Sequence, residues 1–353
     1  MGMVLRSKSN TSLPPHHYTR VWVEPQHATK QAQLPPSGRF LSISISNRFL
    51  GSLLQRAVFV VWVVAPVAAV VFILIWRHLF AIDVGAVLVQ SGGSGSSIEK
   101  TFTVRMNTFR RNDLLKRSAE HLASCDCVGQ IQVVWSDQEN SPPSTDLFTD
   151  ERTRRKVVFE VHDTDSLSHR FNVTSTLGTD GVFSTDDDLE ISCADLKFGF
   201  ETWQASQNTM VGFSPRLVTR DPGTGRHSYR SWRVVRWNGV YNVILTKCCF
   251  LHRDHLRTYV DEMTAPLLAY IDEQRNCEDI AMSVVVAKFH KTPPVWVGGR
   301  VKEIGGDGIS GLAHHFDARS DCVDVFAEEF GDMPLLESSV KVYPMHTGLL
   351  SWL

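Results

Sequence analysis

Neither charge is in excess in this chain: its formal net charge is −2 over 353 residues. Nothing global therefore draws it to nucleic acid, and its chemistry has to be read site by site. It has no internal repeat, so the fold is not made by stacking one unit. A structural zinc site is poorly served, because Cys125-x-Cys127 lacks both a second CxxC and a His pair. Acids are scarce at the start, where Glu24 stands alone against Arg6, Lys8, Arg20, Lys30, Arg39, Arg48 and Arg56. The same segment is rich in Ser, Pro and Gln, as at Leu13–Pro15 and Leu34–Ser37, and residues 1–56 read as a disordered basic tail.

Charge is missing altogether from residues 57–76, AVFVVWVVAPVAAVVFILIW. As a helix rising ~1.5 Å per residue, this run reaches roughly 30 Å, the thickness of a bilayer core. A buried soluble helix or a cleaved signal peptide would be the alternative, but a signal peptide's apolar core is shorter and lies nearer the N-terminus. Pro66 is tolerated in a membrane helix. Arg56 and Arg77–His78 bracket the run, and the basic flank predicts a cytoplasmic tail with the C-terminal bulk in the lumen. Residues 77–100, including SGGSGSS at Ser91–Ser97, read as a flexible stem, and a folded domain is expected over 101–345. Cysteines 125, 127, 193, 248, 249, 277 and 322 would then meet an oxidising compartment, with pairing open from spacing alone. Asn172-Val173-Thr174 is a usable glycosylation sequon there, whereas Asn10-Thr11-Ser12 would be cytosolic.

Hydropathy patterning predicts strands at Thr101–Met106, Gln130–Trp135, Val157–Val161, Gly181–Ser184 and Val211–Phe213. Helices are predicted from an Asn112 N-cap to Leu122 and from a Ser192 cap to about Gln207, with Ser136–Arg155 as a loop. This alternation is that of a mainly parallel α/β sheet, whose ligands bind outside the carboxyl ends of the strands. The second half predicts a strand at Tyr241–Leu245, helices at Arg253–Tyr259, Glu278–Phe289 and Ala318–Glu329, and a strand or loop at Trp296–Val301.

The sharpest chemical feature is Asp186-Asp187-Asp188, just after a predicted buried strand. At ~4 Å in a medium dielectric, each pair of carboxylates repels by several kcal/mol, and a hard divalent cation relieves this. A solvated acidic turn is the competing reading. Glu278 and Asp279 open a helix, where they serve either as simple capping charges or as carboxylates aimed at a substrate. Arg110, Arg111, Arg170 and Arg319 are available to hold phosphate oxygens.

From about Phe102 to Val342 the chain resembles the exostosin-like glycosyltransferase domain, the family-64 transferases. The matching pieces are Phe102–Leu115, Ile131–Trp135, Ser166–Phe171, Thr185–Asp188, Met210–Arg216, Tyr241–Thr246, Asp272–Met282, Glu303–Gly311 and Cys322–Leu335. DEQRNCEDIAM and the EIG…GIS stretch look most like the plant-type branch, which includes transferases acting on inositol phosphorylceramides. The resemblance implies a GT-A (Rossmann-like) α/β domain, retention at the anomeric carbon and dependence on Mn²⁺, with Mg²⁺ as the alternative. By position, Asp188 would hold the metal, and Asp186 and Asp187 would contact the ribose and nucleotide. Arg111, Arg170, Asn107, Ser136 and Asp165 would complete the nucleotide-sugar site. Asp279 would be the catalytic carboxylate, with Glu278 and Arg319 beside it. Cys277 and Cys322 would pair, drawing these groups to one place. Thr246-Lys247-Cys248-Cys249 and Ala313-His314-His315 depart from the family's usual runs.

The function this implies is a single-pass type II membrane transferase of the Golgi or endoplasmic reticulum. It would move a sugar, first N-acetylhexosamine from a UDP-sugar, onto a glycan or glycolipid. The alternatives are mannose from GDP-mannose onto inositol phosphorylceramides, or a non-catalytic subunit of a transferase complex. The partners implied are the nucleotide sugar, the acceptor and the membrane. Nucleic acid is not among them, and an oligomer stays open.

Overall fold

The structure, a computed structural model, describes residues 66–72, 99–305 and 315–344. The chain divides into two compact units, Met1–Val87 and Leu88–Leu353. In the first, residues 66–72 are helical, with Val67, Val70, Val71 and Phe72 exposed. The rest of the expected span at 57–76, the basic tail and the Ser91–Ser97 linker lie outside the described residues. No helix among the described residues is long and apolar enough to cross a membrane.

The second unit is an α/β fold on a mixed eight-stranded sheet. In chain order its elements are β1 (Phe102–Thr108), α1 (Asn112–Ser124), β2 (Val128–Trp135), α2 (Glu151–Lys156), β3 (Val157–Val161), β4 (Gly181–Asp186), β5 (Leu189–Ile191) and α3 (Cys193–Gln204). There follow β6 (Val211–Gly212), β7 (Pro215–Arg220), β8 (His227–Arg230), α4 (Trp232–Asn238), β9 (Val243–Ile244) and β10 (Cys248–His252). The chain continues with α5 (Arg253–Glu262), α6 (Ala265–Gln274), α7 (Glu278–His290), β11 (Val295–Val297), β12 (Val301–Glu303), α8 (His315–Phe330) and β13 (Lys341–Val342). The main sheet runs β13-β11-β6-β10-β4-β1-β2-β3, with small sheets β12-β5 and β8-β7-β9 beside it.

The sheet is mixed because β10 runs antiparallel to both β4 and β6, while its other pairs are parallel. The sequence pattern misses β10, whose Cys-Cys-Phe-Leu-His run has no alternation to announce a strand. β1 is buried along nearly its whole length, as a central strand covered on both faces must be. Its period-two alternation divides the molecule. Phe102, Val104 and Met106 join one core with Leu115, Ala119 and Leu122 of α1 and Phe200 and Trp203 of α3. The Phe102 ring centre lies 4.9 Å from those of both Phe200, tilted against it, and Phe250, edge to face. On the other face Arg105 is buried, donating to Glu160 and Gln132 at 2.8 Å each and to the Arg170 carbonyl at 2.9 Å. Burial alone would raise the Glu160 carboxyl, but hydrogen bonds from His162, Arg105 and Ser175 hold it well below the ordinary range. The second core gathers α5, α7 and α8 around Tyr259, Ile280, Val284 and Phe326. Residues Glu278–Ala287 of α7 are buried throughout, which marks a central helix.

Local details differ from the sequence reading. α1 begins at Asn112 with Arg111, not Asn112, in the N-cap position, and no side chain caps it, because a guanidinium has no acceptor to offer the first amides. Ser192 does cap α3, accepting from the Asp195 amide, though the helix ends at Gln204. The expected loop 136–155 contains α2, capped by Asp150, and a 3-10 turn at Thr145–Leu147. Cys277 and Cys322 form a disulfide, and a second joins Cys125 to Cys193. His121 groups with Cys125 and Cys193 among the described residues, but their disulfide leaves these two sulfurs no thiolate to offer a metal.

Candidate functional site

β1 and β4 are parallel neighbours with Asn107 opposite Asp186, so the turns after both strands open on the same edge of the sheet. There a cleft of about 450 Å³ lies at the carboxyl ends of the parallel strands. Ten residues singled out from the sequence line it: Asn107, Arg111, Ser136, Asp165, Arg170, Asp186, Asp188, Glu278, Asp279 and Arg319.

Tertiary structure gives the three consecutive aspartates three different environments. Asp186 accepts from Arg170 at 2.8 Å. Asp187 is not part of the cleft lining. Its side chain is fully buried and accepts from Thr108 at 2.7 Å and from Arg111. Burial raises its carboxyl to about 6. Asp187 sits behind the cleft lining and holds Arg111 in place. Asp188 stays partly open, with 23% of its side chain exposed, and meets Arg111 at 3.1 Å. Gly305 packs so closely over Asp188 that a Cβ there would fall 2.6 Å from the Asp188 Cβ.

The far wall is built by the disulfide. Cys277 precedes α7 with φ +81°, a conformation costly for any residue but glycine, and its bond to Cys322 of α8 holds it there. Arg319 lies one helical turn before Cys322, on the same side of α8. Its guanidinium donates to Asp279 at 3.0 Å and to the Tyr229 hydroxyl at 2.9 Å. Arg170 lies 3.6 Å from Glu278 and also donates to Thr246 at 3.3 Å. Burial opposes the charge on both arginines, yet Asp186, Glu278 and Asp279 raise them above the ordinary range and keep them cationic. Burial pushes the Glu278 carboxyl up, against the pull of Arg170.

Among the described residues, seven buried side-chain nitrogen or oxygen atoms have no hydrogen-bond partner, and three belong to this cleft: Ser136 Oγ, Arg170 Nε and Arg319 Nε. Buried donors left unpaired are costly, which sets these three groups of the cleft wall apart. The cleft's carboxylates (Asp165, Asp186, Asp188, Glu278, Asp279, Glu303) are matched in number by its cations (Arg111, Arg170, Arg216, Lys247, Arg275, Arg319). A polyanion entering a cleft so balanced needs an accompanying cation. Asp188 offers hard oxygen at the open side, the donor chemistry that Mg²⁺ and Mn²⁺ take. The residues present fit such an ion.

Other expectations fall elsewhere. Arg110 turns away, donating to Asp137 at 3.0 and 3.1 Å. Asn172, half-buried after the 3-10 turn Leu167–Arg170, is outside the cleft. The sequence reading missed Thr108, Tyr229, Arg216 and Arg275. Arg275 anchors Asp165 at 3.0 Å and directly precedes the Asn-Cys-Glu-Asp run, the one local signal that could have found it. Lys247, where the sequence departs from the family pattern, reaches Glu303 at 2.6 Å across the cleft lining.

A model of the glycosyl transferase family 64 domain matches residues 102–346. Glycosylinositol phosphorylceramide mannosyl transferase 1 of Arabidopsis thaliana is 39% identical over 259 residues, covering 70% of this chain and 77% of that one. Human exostosin-2 is 30% identical over 240 residues, covering 66% of this chain and 33% of its own length. Glucosamine inositolphosphorylceramide transferase 1 of Oryza sativa subsp. indica is 30% identical over 227 residues, covering 62% and 29%. The chain thus spans about three quarters of the first relative and about a third of the other two.

Proposed function

The chain belongs to glycosyl transferase family 64 and is a glycosyltransferase, and we propose that it is a retaining, GT-A type enzyme that mannosylates an inositol-phosphorylceramide glycolipid from GDP-mannose. One observation carries the sugar and the acceptor: the Arabidopsis relative named for mannosyl transfer and glycosylinositol phosphorylceramide is similar along 77% of its length. The second reading is N-acetylhexosamine transfer from a UDP-sugar, favoured by the rice relative named for glucosamine. The placement we propose is a single membrane span at 57–76, with the catalytic unit in the lumen of the Golgi or endoplasmic reticulum.

The chain's own residues divide the work. The unpaired Nε groups of Arg170 and Arg319 and the Ser136 hydroxyl bind the nucleotide diphosphate and ribose. Asp188 would hold a divalent cation, Mn²⁺ or Mg²⁺, which supplies Lewis-acid neutralisation of the departing diphosphate. Asp187 stays out of the reaction and fixes Arg111 beside Asp188. The sugar–phosphate bond breaks as the bond to the acceptor oxygen forms, and positive charge grows at the sugar carbon. Asp279 is the carboxylate placed to stabilise that charge, and Arg319 with Tyr229 keeps it from rotating away. Burial raises the Glu278 carboxyl, and in its ionised form it is the base that takes the proton the acceptor hydroxyl gives up.

The test is titration of the full-length protein in detergent with GDP and UDP, with and without Mn²⁺, followed by donor hydrolysis with GDP-mannose and UDP-N-acetylglucosamine. Metal-dependent binding of GDP with release of mannose supports the first reading. Preference for UDP moves the donor to N-acetylhexosamine, and binding unaffected by a chelator removes the metal.

A further inference from the structure

From Pro222 to Arg253 the chain contains no Asp or Glu, while Arg226, Arg230, Arg233, Arg236, Lys247 and Arg253 fall within it. α4 lies in this stretch and packs into the core through Val235 alone among its buried residues. Its outer surface carries two tryptophans, Trp232 at 46% and Trp237 at 91% exposure. Trp237 is the most exposed of the large apolar side chains described. Arg233 and Arg236 lie over the Trp232 ring, 5.8 and 5.5 Å from its centroid. Arg230, Arg233 and Arg236 are exposed, and none of the three is ion-paired among the described residues, whereas Arg226 is neutralised by Asp321 and Asp324.

A tryptophan held almost wholly in water, set among unpaired arginines, is unfavourable unless something covers it. The combination suits a bilayer surface: the indole is at home at headgroup depth, and basic side chains are drawn to anionic lipid. We propose that α4 is a membrane-docking element, with Trp232 and Trp237 entering the headgroup layer and Arg230, Arg233 and Arg236 facing anionic headgroups. Charge complementarity favours this occupant over an acidic protein, because the aromatic side chains have no partner in a purely ionic contact. Three residues before α4, Tyr229 bonds Arg319 in the cleft. Docking would therefore hold the Asp279–Arg319 wall close to the membrane, within reach of a lipid acceptor. That last consequence rests on the acceptor proposed above, whereas the docking itself does not.

The experiment reads membrane contact without activity. Full-length protein is mixed with vesicles of brominated phosphatidylcholine, with and without phosphatidylserine, and tryptophan quenching is compared with that of Trp237→Phe. The expected result is that Trp237→Phe loses about one tryptophan's share of the quenching, out of nine tryptophans in the chain. That share should grow with phosphatidylserine, shrink with salt, and disappear in Arg233→Ser/Arg236→Ser. Identical fractional quenching in wild type and Trp237→Phe, or quenching of Trp237 indifferent to lipid charge, would overturn the proposal. So would a dimer in detergent that Trp237→Asp converts to a monomer, since the patch would then belong to a second copy of this chain.

Discussion

Asp279 and Arg319 meet at 3.0 Å although forty residues separate them in the sequence. Both are almost fully buried, and a disulfide lies beside the pair at Cys277 and Cys322. Breaking a buried pair by removing one partner leaves an uncompensated charge, at a typical cost of about 3–5 kcal/mol. Arg319→Ala should therefore lower both stability and turnover. Arg319→Lys should recover much of the stability but not the rate, because a single ammonium cannot serve Asp279 and Tyr229 in the guanidinium's geometry. Thermal melts and single-turnover kinetics on the two variants check this split.

The two disulfides should separate stability from activity. Losing either costs on the order of 2–5 kcal/mol. Cys277→Ser/Cys322→Ser should also reduce turnover, since the bridge holds Cys277 at positive φ and sets α7 against α8. The Cys125–Cys193 bridge joins the end of α1 to the start of α3 away from the cleft, so Cys125→Ser/Cys193→Ser should leave the rate per folded molecule unchanged. Activity normalised to the folded fraction reads the difference.

Neighbouring aspartates should behave in opposite ways. Asp188→Ala alters a partly open side chain and should change stability by no more than about 0.5 kcal/mol, while abolishing metal-dependent turnover. Asp187→Ala removes the buried acceptor that Thr108 and Arg111 share and should cost about 1–3 kcal/mol. Denaturant melts and chelator-sensitive turnover distinguish the two.

His255 sets a pH dependence away from the site. Burial first, then the nearby His290 and His252, depress its imidazole to about 3. The unfolded chain binds this proton with an ordinary affinity, so the stabilisation is present above about 6.5 and is lost as pH falls toward the folded value. Wild type should therefore lose stability steadily from pH 6.5 downward. His255→Gln should be less stable at neutral pH but show a shallower slope in urea melts across the same range. An equal slope in both proteins would count against the assignment.

By itself the sequence determined the elements whose signal is local. β1 alternates Phe, Val and Met with polar residues, β2 and β3 are rich in valine, and Ser192 announces α3 through a bond to an amide three residues on. The sequence's resemblance to the family-64 transferases pointed to many of the residues that line the cleft. What it left open depends on partners distant in the chain. β10 has no pattern of its own and exists because β4 and β6 stand on either side of it. Tyr229 enters the site on the β7–β8 hairpin, whose position is set by packing against α8. Three identical carboxylates in a row differ only in what the rest of the molecule brings to each: Arg170 to Asp186, Thr108 to Asp187 and open space to Asp188. Local sequence sets backbone preference over a few residues, whereas desolvation and charge pairing are set by groups that only folding brings within hydrogen-bonding distance, and that is why the tertiary structure decided which of the aspartates line the cleft and which is buried.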